Sequence, residues 1–207
     1  GDGRLALAAG KSLTVTGTFD WSAGTLSRDG RVIIAPGAVA NLTTASGKFI
    51  DGVFENRGTT NYTGTAVLFG RDGGNLPARI ENAAGGTFIV DGEGDFAQNF
   101  SSSTYRIDNA GTFIKRGAGT VTIVNNPIFF GSTGNVAVES GELRLNGGSS
   151  LGGAVAGAGA LAFFGGSHTI PSGGNFGITS LSLNNVNLTL APGSAPDLAV
   201  VDINGST

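Results

Sequence analysis

Short stretches in which apolar and polar residues alternate recur along the whole chain. Examples are "SLTVTGTF", "GTFIV", "GTVTIV", "GELRLNGG", "LSLNNVNLTL" and "DLAVVDI", each bounded by Gly, Asn, Asp or Pro. A period of two indicates strands, and the bounding residues mark the turns between them. No good run places apolar residues at the three-and-four spacing of an amphipathic helix. The pattern predicts an all-β protein, and it admits a sandwich, a barrel or a solenoid.

A repeated phrase separates these three architectures. "FENRGTTNY", "IENAAGGTFIV", "IDNAGTFIK" and "VESGELRL" share an apolar residue, an acid, a small polar residue, Gly and then a strand. In this alignment Asn56, Asn82, Asn109 and Ser140 are equivalent, at intervals of 26, 27 and 31 residues. Such a period indicates stacked units. A unit of this length holds about three strands, which is typical of one coil of a parallel β-helix.

The stacking of coils explains why the same residue types recur at equivalent positions. A turn-facing Asn hydrogen-bonds to the Asn of the next coil and forms a ladder. The Gly that follows, at Gly58, Gly111 and Gly141, is expected to adopt the left-handed backbone of a tight corner. The residues after it form one predicted core column, made of Thr60, Phe88, Phe113 and Leu143.

The composition excludes several classes of function but says less about the fold. The 207 residues include 37 Gly and no Cys or Met, and the formal net charge is -3. With no initiator Met, we interpret the sequence as a processed or excised piece. The scattered Lys and Arg predict no binding of nucleic acid, and the lack of Cys excludes disulfides and thiolate metal sites. The apolar run 151–164 is too short and too rich in Gly for a spanning helix, so we expect two adjoining strands and no membrane insertion.

Several phrases resemble those of large bacterial surface proteins built from β-strand repeats. "NAGTFIKRGAGTVTI" from Asn109, "GNVAVESGELRLNGG" from Gly134 and "GTFDWSAGTLSRDGRVIIAPGAVANL" from Gly17 are similar to recurring phrases of filamentous-haemagglutinin-like and autotransporter-passenger-like arrays. "LAFFGGSHTI" from Leu161 resembles another of their phrases. The resemblance covers most of the chain. It implies a right-handed β-helix in an exported structural or adhesive protein, without enzyme activity.

Two groups of residues deserve comparison with known chemistry. The lone histidine, His168, has no second His, no Cys and no acid near it in sequence, so we interpret it as a turn residue. Asp91, Glu93 and Asp95 alternate with Gly as at the start of a calcium loop. The twelfth position counted from Asp91 is Ser102 rather than Glu, and we favour a solvated acidic corner.

A polysaccharide-cleaving β-helix is the enzymatic alternative. Such an enzyme would place acids on one face of adjacent coils. Glu55, Glu81 and Asp108 recur beside the Asn column and would lie about 5 Å apart. Arginines stand close in sequence, so mutual neutralisation is the simpler interpretation; they are Arg57, Arg79 and Arg106.

Glycan binding is a second alternative. Trp21, Tyr62 and Tyr105 would stack on sugar rings if they were exposed. The sequons that begin at Asn41 and Asn61 are close to chance in a chain so rich in Asn and Thr.

We therefore predict a single β-solenoid domain, residues 1–207, forming a right-handed parallel β-helix of roughly eight coils. The predicted role is structural, in a secreted or cell-surface bacterial rod or fibre that adheres or self-assembles. We expect no catalytic, cofactor-binding or metal-binding residues. The expected partners are further copies or neighbouring domains at the solenoid ends, with surface glycans as a further candidate. Neither end shows a capping helix, and 145–196 contains no charged residue to discourage edge pairing.

Overall fold

The computed structural model describes residues 3–27, 30–70, 78–99, 105–123, 128–196 and 198–205. These ranges contain strands and turns and no helix. The strands are β1 (Arg4–Ala6), β2 (Ser12–Val15), β3 (Thr18–Trp21), β4 (Gly24–Ser27), β5 (Arg31–Ile34), β6 (Val39–Leu42), β7 (Lys48–Ile50), β8 (Val53–Asn56), β9 (Thr59–Tyr62), β10 (Ala66–Phe69), β11 (Arg79–Asn82), β12 (Thr87–Asp91), β13 (Asp95–Gln98), β14 (Tyr105–Asn109), β15 (Thr112–Arg116), β16 (Thr120–Ile123), β17 (Ile128–Ser132), β18 (Asn135–Val138), β19 (Glu142–Leu151), β20 (Ala154–Ile170), β21 (Asn175–Asn184), β22 (Asn187–Leu190), β23 (Ala195–Pro196) and β24 (Val200–Asn204).

All strand pairs in the described ranges are parallel, and each strand from β1 to β16 pairs with the strand three places further along the chain. The strands therefore wind into a coil with three faces. Face A runs through β2, β5, β8, β11, β14 and β17 to β22. Face B runs from β3 to β23, and face C from β1 to β24. Each coil passes from face A to face B to face C.

The fold is a parallel β-solenoid of about nine turns, which confirms the predicted class. The expected number of coils, roughly eight, is close to this. The right-handed sense stays a prediction. From β19 onward the strands bend across the corners, so that β20 alone contributes to all three faces. The run 151–164 lies at the end of β19 and in the first part of β20, which agrees with two adjoining strands. Within the described ranges, no helix is long and apolar enough to cross a membrane.

The predicted Asn ladder is present at the end of the face A strands. Asn56, Asn82 and Asn109 are direct cross-strand partners on successive coils, and all three side chains are buried. The fourth member is Ser132, paired with Asn109, so the prediction of Ser140 is wrong. Ser140 precedes a different corner, between faces B and C. The error arises because every corner favours a small polar residue before Gly, and the phrase alone does not say which corner it marks.

The predicted core column lies on the inner side of face B. Thr60, Phe88 and Phe113 are in register, but the next member is Val136 and the prediction of Leu143 is wrong. Leu143 belongs to the core of face C. The rings of Phe88 and Phe113 stack with centroids 5.6 Å apart and an interplanar angle of 8°. Repeating a ring in register thus fills the interior with the same contact from coil to coil.

The corner glycines are required for a different reason than expected. Gly111 does not have a positive φ, and neither does Gly58; of the three predicted positions only Gly141 does, at 69°. A Cβ on Gly111 would lie 2.2 Å from the carbonyl oxygen of Gly86 on the preceding coil. The close approach of stacked backbones, rather than the left-handed conformation, therefore excludes a side chain there.

Candidate functional site

The acidic column lies on the outer side of face A. Glu55, Glu81 and Asp108 are cross-strand partners on three successive coils, as predicted. Arg31 forms ion pairs with both Glu55 and Glu81, and Arg57 forms one with Glu55. Burial opposes the charge of Glu55, but the hydrogen bonds from Arg57 and Arg31 outweigh it and lower the pKa of Glu55. Glu55 is therefore held as a paired anion.

Two more arginines complete this charge network. Arg79 Nη1 lies 3.4 Å from Glu81 Oε1. Arg106 donates to both carboxylate oxygens of Asp108, with a shortest distance of 2.8 Å between Nη2 and Oδ1. The predicted mutual neutralisation is confirmed for Arg57, Arg79 and Arg106. Arg31 was missed because it is 24 residues away from Glu55 in sequence, and only the stacking of coils brings them together.

A notch opens where the acidic column ends. The residue paired with Asp108 on the next coil is Gly131, which has no side chain, and its neighbour beyond is Ser150. The resulting cavity has a volume of about 340 Å³ and is also lined by Arg106, Phe129, Ala110 and Thr133. Arg106 Cζ lies 4.8 Å from the centroid of the Phe129 ring. The sequence reasoning missed this notch because Gly131 carries no functional group.

The three acids of the acidic corner, Asp91, Glu93 and Asp95, have different surroundings. Asp91 accepts a 2.9 Å hydrogen bond from Arg116, and Asp95 accepts one of 2.7 Å from the backbone N–H of Thr122. Glu93 is exposed. No group of three or more His, Cys, Asp or Glu side chains suited to a metal ion occurs in the part of the chain that the structure describes. Asp91 and Asp95 therefore contact a neighbouring coil, whereas the exposed Glu93 is a solvated acid of the kind expected from sequence.

His168 is a buried strand residue of β20, so the interpretation as a turn residue is wrong. It is 1% exposed and stacks on Phe163, with ring centroids 4.4 Å apart. Its Nδ1 lies 2.8 Å from Ser149 Oγ, and its Nε2 lies 2.9 Å from the carbonyl oxygen of Gly165. Because a carbonyl only accepts, Nε2 donates to it, and the neutral ring accepts from Ser149 at Nδ1. Burial lowers the pKa of His168, although the bond to Gly165 opposes this.

The three aromatic residues considered for sugar stacking are buried. Trp21 is 4% exposed, Tyr62 0% and Tyr105 1%. Tyr62 instead donates to the backbone carbonyl of Asp95 at 3.2 Å. The prediction that these rings could offer an exposed platform is therefore wrong, because strand alternation turns all three inward.

The sequon residues form an outer ladder on face B. Asn61 Nδ2 donates to Asn41 Oδ1 at 3.1 Å, and Asn41 Nδ2 donates to Asp20 Oδ1 at 2.8 Å. The amides of both sequon residues are therefore engaged in hydrogen bonds between coils.

Two lysines are buried in the core, and the sequence reasoning missed both. Lys48 and Lys115 are each 0% exposed, and burial lowers the pKa of each. Lys115 Nζ donates to the carbonyl oxygens of Arg116 and Gly117 at 2.8 Å. Lys48 Nζ makes the corresponding bonds to Thr44 and Ser46 at 3.1 and 3.0 Å. Each ammonium group therefore closes a corner by capping its turn carbonyls.

The two end coils present strand edges that have a partner on one side only among the described residues. At one end these are β1, β2 and β3, and at the other β22, β23 and β24. Large apolar side chains are exposed there: Leu13 at 38%, Leu190 at 48%, Val200 at 54%, Val201 at 46% and Ile203 at 73%. Unpaired edges with apolar side chains recruit further strands.

Comparison of the chain with protein-family models, with curated proteins and with solved structures finds no match.

Proposed function

We propose that the chain is a structural segment of a secreted or cell-surface bacterial rod or fibre, whose ends are covered by further protein. The observation that carries this proposal is the chemistry of the two end coils. The three ladders of parallel strands run through about nine coils and stop at apolar edges. The resemblance to surface-protein arrays supports the extracellular setting.

Stiffness follows from the direction of the hydrogen bonds. In a solenoid the backbone hydrogen bonds run along the long axis, and here they do so on three faces at once. At about 4.8 Å per coil, nine coils span about 40 Å. The Asn ladder adds side-chain bonds in the same direction, with distances of 2.8 and 2.7 Å. Such a rod spaces an adhesive surface from its point of attachment without any chemical step.

The two ends match each other in register on face A. The column that begins at Leu13 passes through Val32 and ends at Leu188. The neighbouring column begins at Val15 and ends at Leu190. A second copy added end to end would place apolar residues on apolar residues in both columns. This continuity favours head-to-tail assembly, in which the two contacting surfaces differ and the array can grow.

Light scattering across a concentration series tests the proposal on the 207-residue chain. We expect the mean mass to rise with concentration and Ile203→Lys to suppress the rise, because a charge would have to be buried at the joint. Thr87→Lys, on the outer side of face B in mid-rod, is the matched control and should behave as the wild type. A monodisperse monomer at every concentration would refute assembly through the ends.

The polysaccharide-cleaving alternative depends on free carboxylates. Glu55, Glu81 and Asp108 each have an arginine partner, and this supports the structural role over that of an acid–base pair. Hydrolysis of a polysaccharide panel, measured by reducing ends, tests the alternative directly. Release that disappears in Glu81→Gln would favour the enzyme.

A further inference from the structure

The notch over Gly131 brings groups of opposite hydrogen-bonding character to one point. A Cβ on Gly131 would lie 3.2 Å from Asp108 Oδ1, 3.4 Å from Arg106 Nη2 and 3.4 Å from Phe129 Cε1. A carboxylate acceptor, a guanidinium donor and an aromatic ring edge therefore converge above one glycine. Ser150 and Thr133, which also line the notch, carry hydroxyl groups that donate and accept.

The size and lining of the notch fit a small ligand. Its volume of about 340 Å³ is at the lower end of the range of about 300–1,000 Å³ that is usual for small-molecule sites. Ala110 and the edge of Phe129 supply apolar walls between the polar groups. A few placed polar groups among apolar surface are the ordinary composition of such a site.

The charges select a neutral ligand. Asp108 is paired with Arg106, and the neighbouring Glu81 is paired with Arg31 and Arg79. Of the side chains that line the notch, Glu81 and Asp108 would oppose an anion and Arg106 would oppose a cation, and all three charges already have a partner. Asp108 and Arg106 are still 34% and 41% exposed, so both retain hydrogen-bonding capacity toward a ligand. Hydroxyl groups satisfy both partners without disturbing the ion pair.

We propose that this notch binds one or two residues of a neutral saccharide, whose hydroxyl groups contact Asp108 and Arg106 and whose C–H surface contacts Phe129 and Ala110. The site goes beyond the rod role and does not depend on it, because end-to-end assembly and sugar binding use different surfaces. In a rod it would lie on the side, where assembly leaves it open.

Amide chemical shifts measured during titration with neutral sugars test the proposal on the full chain. Glucose, galactose, mannose and N-acetylglucosamine are the probes, and glucuronic acid is the anionic comparison. We expect saturable shifts for at least one neutral sugar, clustered at Asp108, Gly131, Thr133 and Ser150, and weaker binding of glucuronic acid. Absence of saturable shifts at the notch with every neutral probe, up to its solubility limit, would overturn the proposal.

Two variants and one control localise the binding. Gly131→Thr fills the notch, and Asp108→Asn removes the carboxylate with little change in size; each should weaken binding at least about tenfold. Glu142→Gln is the matched control, because Glu142 pairs with Arg144, which stacks on Phe164 in the same way on another face. The amide spectrum of each variant also reports whether it is folded. Unchanged affinity in both folded notch variants would contradict the proposal.

Discussion

Asn56 Nδ2 donates a 2.8 Å hydrogen bond to Asn82 Oδ1, while Asn56 Oδ1 is buried with no hydrogen-bond partner among the described residues. The ladder thus begins with an unmatched acceptor and runs in one direction. Asn82 repeats the bond to Asn109 at 2.7 Å, and Asn109 passes it to Ser132 at 2.9 Å. Each amide also donates to a backbone carbonyl near the next corner, for example Asn82 to Thr112 at 3.0 Å.

Removing the middle of the ladder should be costly. In Asn82→Ala the amide N–H of Asn56 and the Oδ1 of Asn109 both lose a buried partner. At about 1–3 kcal/mol for each of the two groups, we expect a loss of about 2–6 kcal/mol in the free energy of unfolding, measured by urea denaturation. The control is Asn61→Ala in the outer ladder, which should cost about 1 kcal/mol or less. Equal losses for the two variants would mean that the inner ladder contributes nothing special.

The unmatched acceptor suggests a way to extend the ladder. Ile34 is paired with Asn56 in the same register that joins Asn56 to Asn82. In Ile34→Asn the new amide should donate to Asn56 Oδ1, which partly offsets the lost apolar burial. We expect the variant to be more stable than Ile80→Asn, which buries an amide at an equally buried position of the adjacent column, by about 1–2 kcal/mol. Urea denaturation of both variants measures the difference, and the reverse order would contradict the ladder account.

Because the corner backbones stack closely, substitution of glycine by alanine should reduce stability strongly at some positions and hardly at others. Gly111→Ala would force a Cβ to 2.2 Å from the Gly86 carbonyl oxygen, and we expect a loss of about 2 kcal/mol or more. At Gly17 nothing lies within 4 Å of an added Cβ and φ is not positive, so Gly17→Ala should be neutral or stabilising by up to about 1 kcal/mol. Thermal unfolding of the two variants provides the measurement. Similar unfolding midpoints for the two variants would show that the backbone at the Gly111 corner can move far enough to accommodate a methyl group.

The buried histidine predicts a pH dependence of stability. The folded-state pKa of His168 is below 6.5, so the unfolded chain binds more protons as the pH falls below that value. Stability is therefore complete above the unfolded pKa and is lost as the pH falls from about 6.5 toward the folded pKa. His168 is the single histidine of the sequence, so no other imidazole contributes to the pH dependence in this window. Urea midpoints at about pH 7.5 and about pH 5 should differ in the wild type and much less in His168→Gln. Equal pH slopes in the two proteins would rule out His168 as the cause.

Sequence reasoning predicted the solenoid because in-register stacking repeats its own chemistry. Asn82 and Asn109 had to recur at one position, since each amide needs its neighbour. Positions that depend on coil length were harder. The interval from Asn109 to Ser132 is 23 residues, shorter than the two before it, and this shift made Ser140 appear equivalent.

The buried lysines were missed because a lysine was placed outside by residue type, although strand alternation places it inside. Lys115 follows Phe113 at the spacing of two that turns both inward, yet a lysine is ordinarily expected outside. The turn carbonyls that receive its ammonium group are invisible in sequence. The partners of Glu55 and the shape of the notch likewise depend on contacts between coils, for which linear spacing gives no measure.

Each coil contains many residues but adds little to the axial length of the solenoid, so the rod can lengthen greatly when a coil unfolds. The coil from Asn56 to Asn82 uses 26 residues but advances the axis by one strand spacing of about 4.8 Å. Once its three strands detach, the same residues extend to about 90 Å at about 3.4 Å per residue. A pull along the axis acts directly on the hydrogen bonds between coils, so an end coil can peel away while the others stay folded. A tether built this way lengthens nearly twentyfold per coil released, and it can absorb a sudden load in steps instead of breaking.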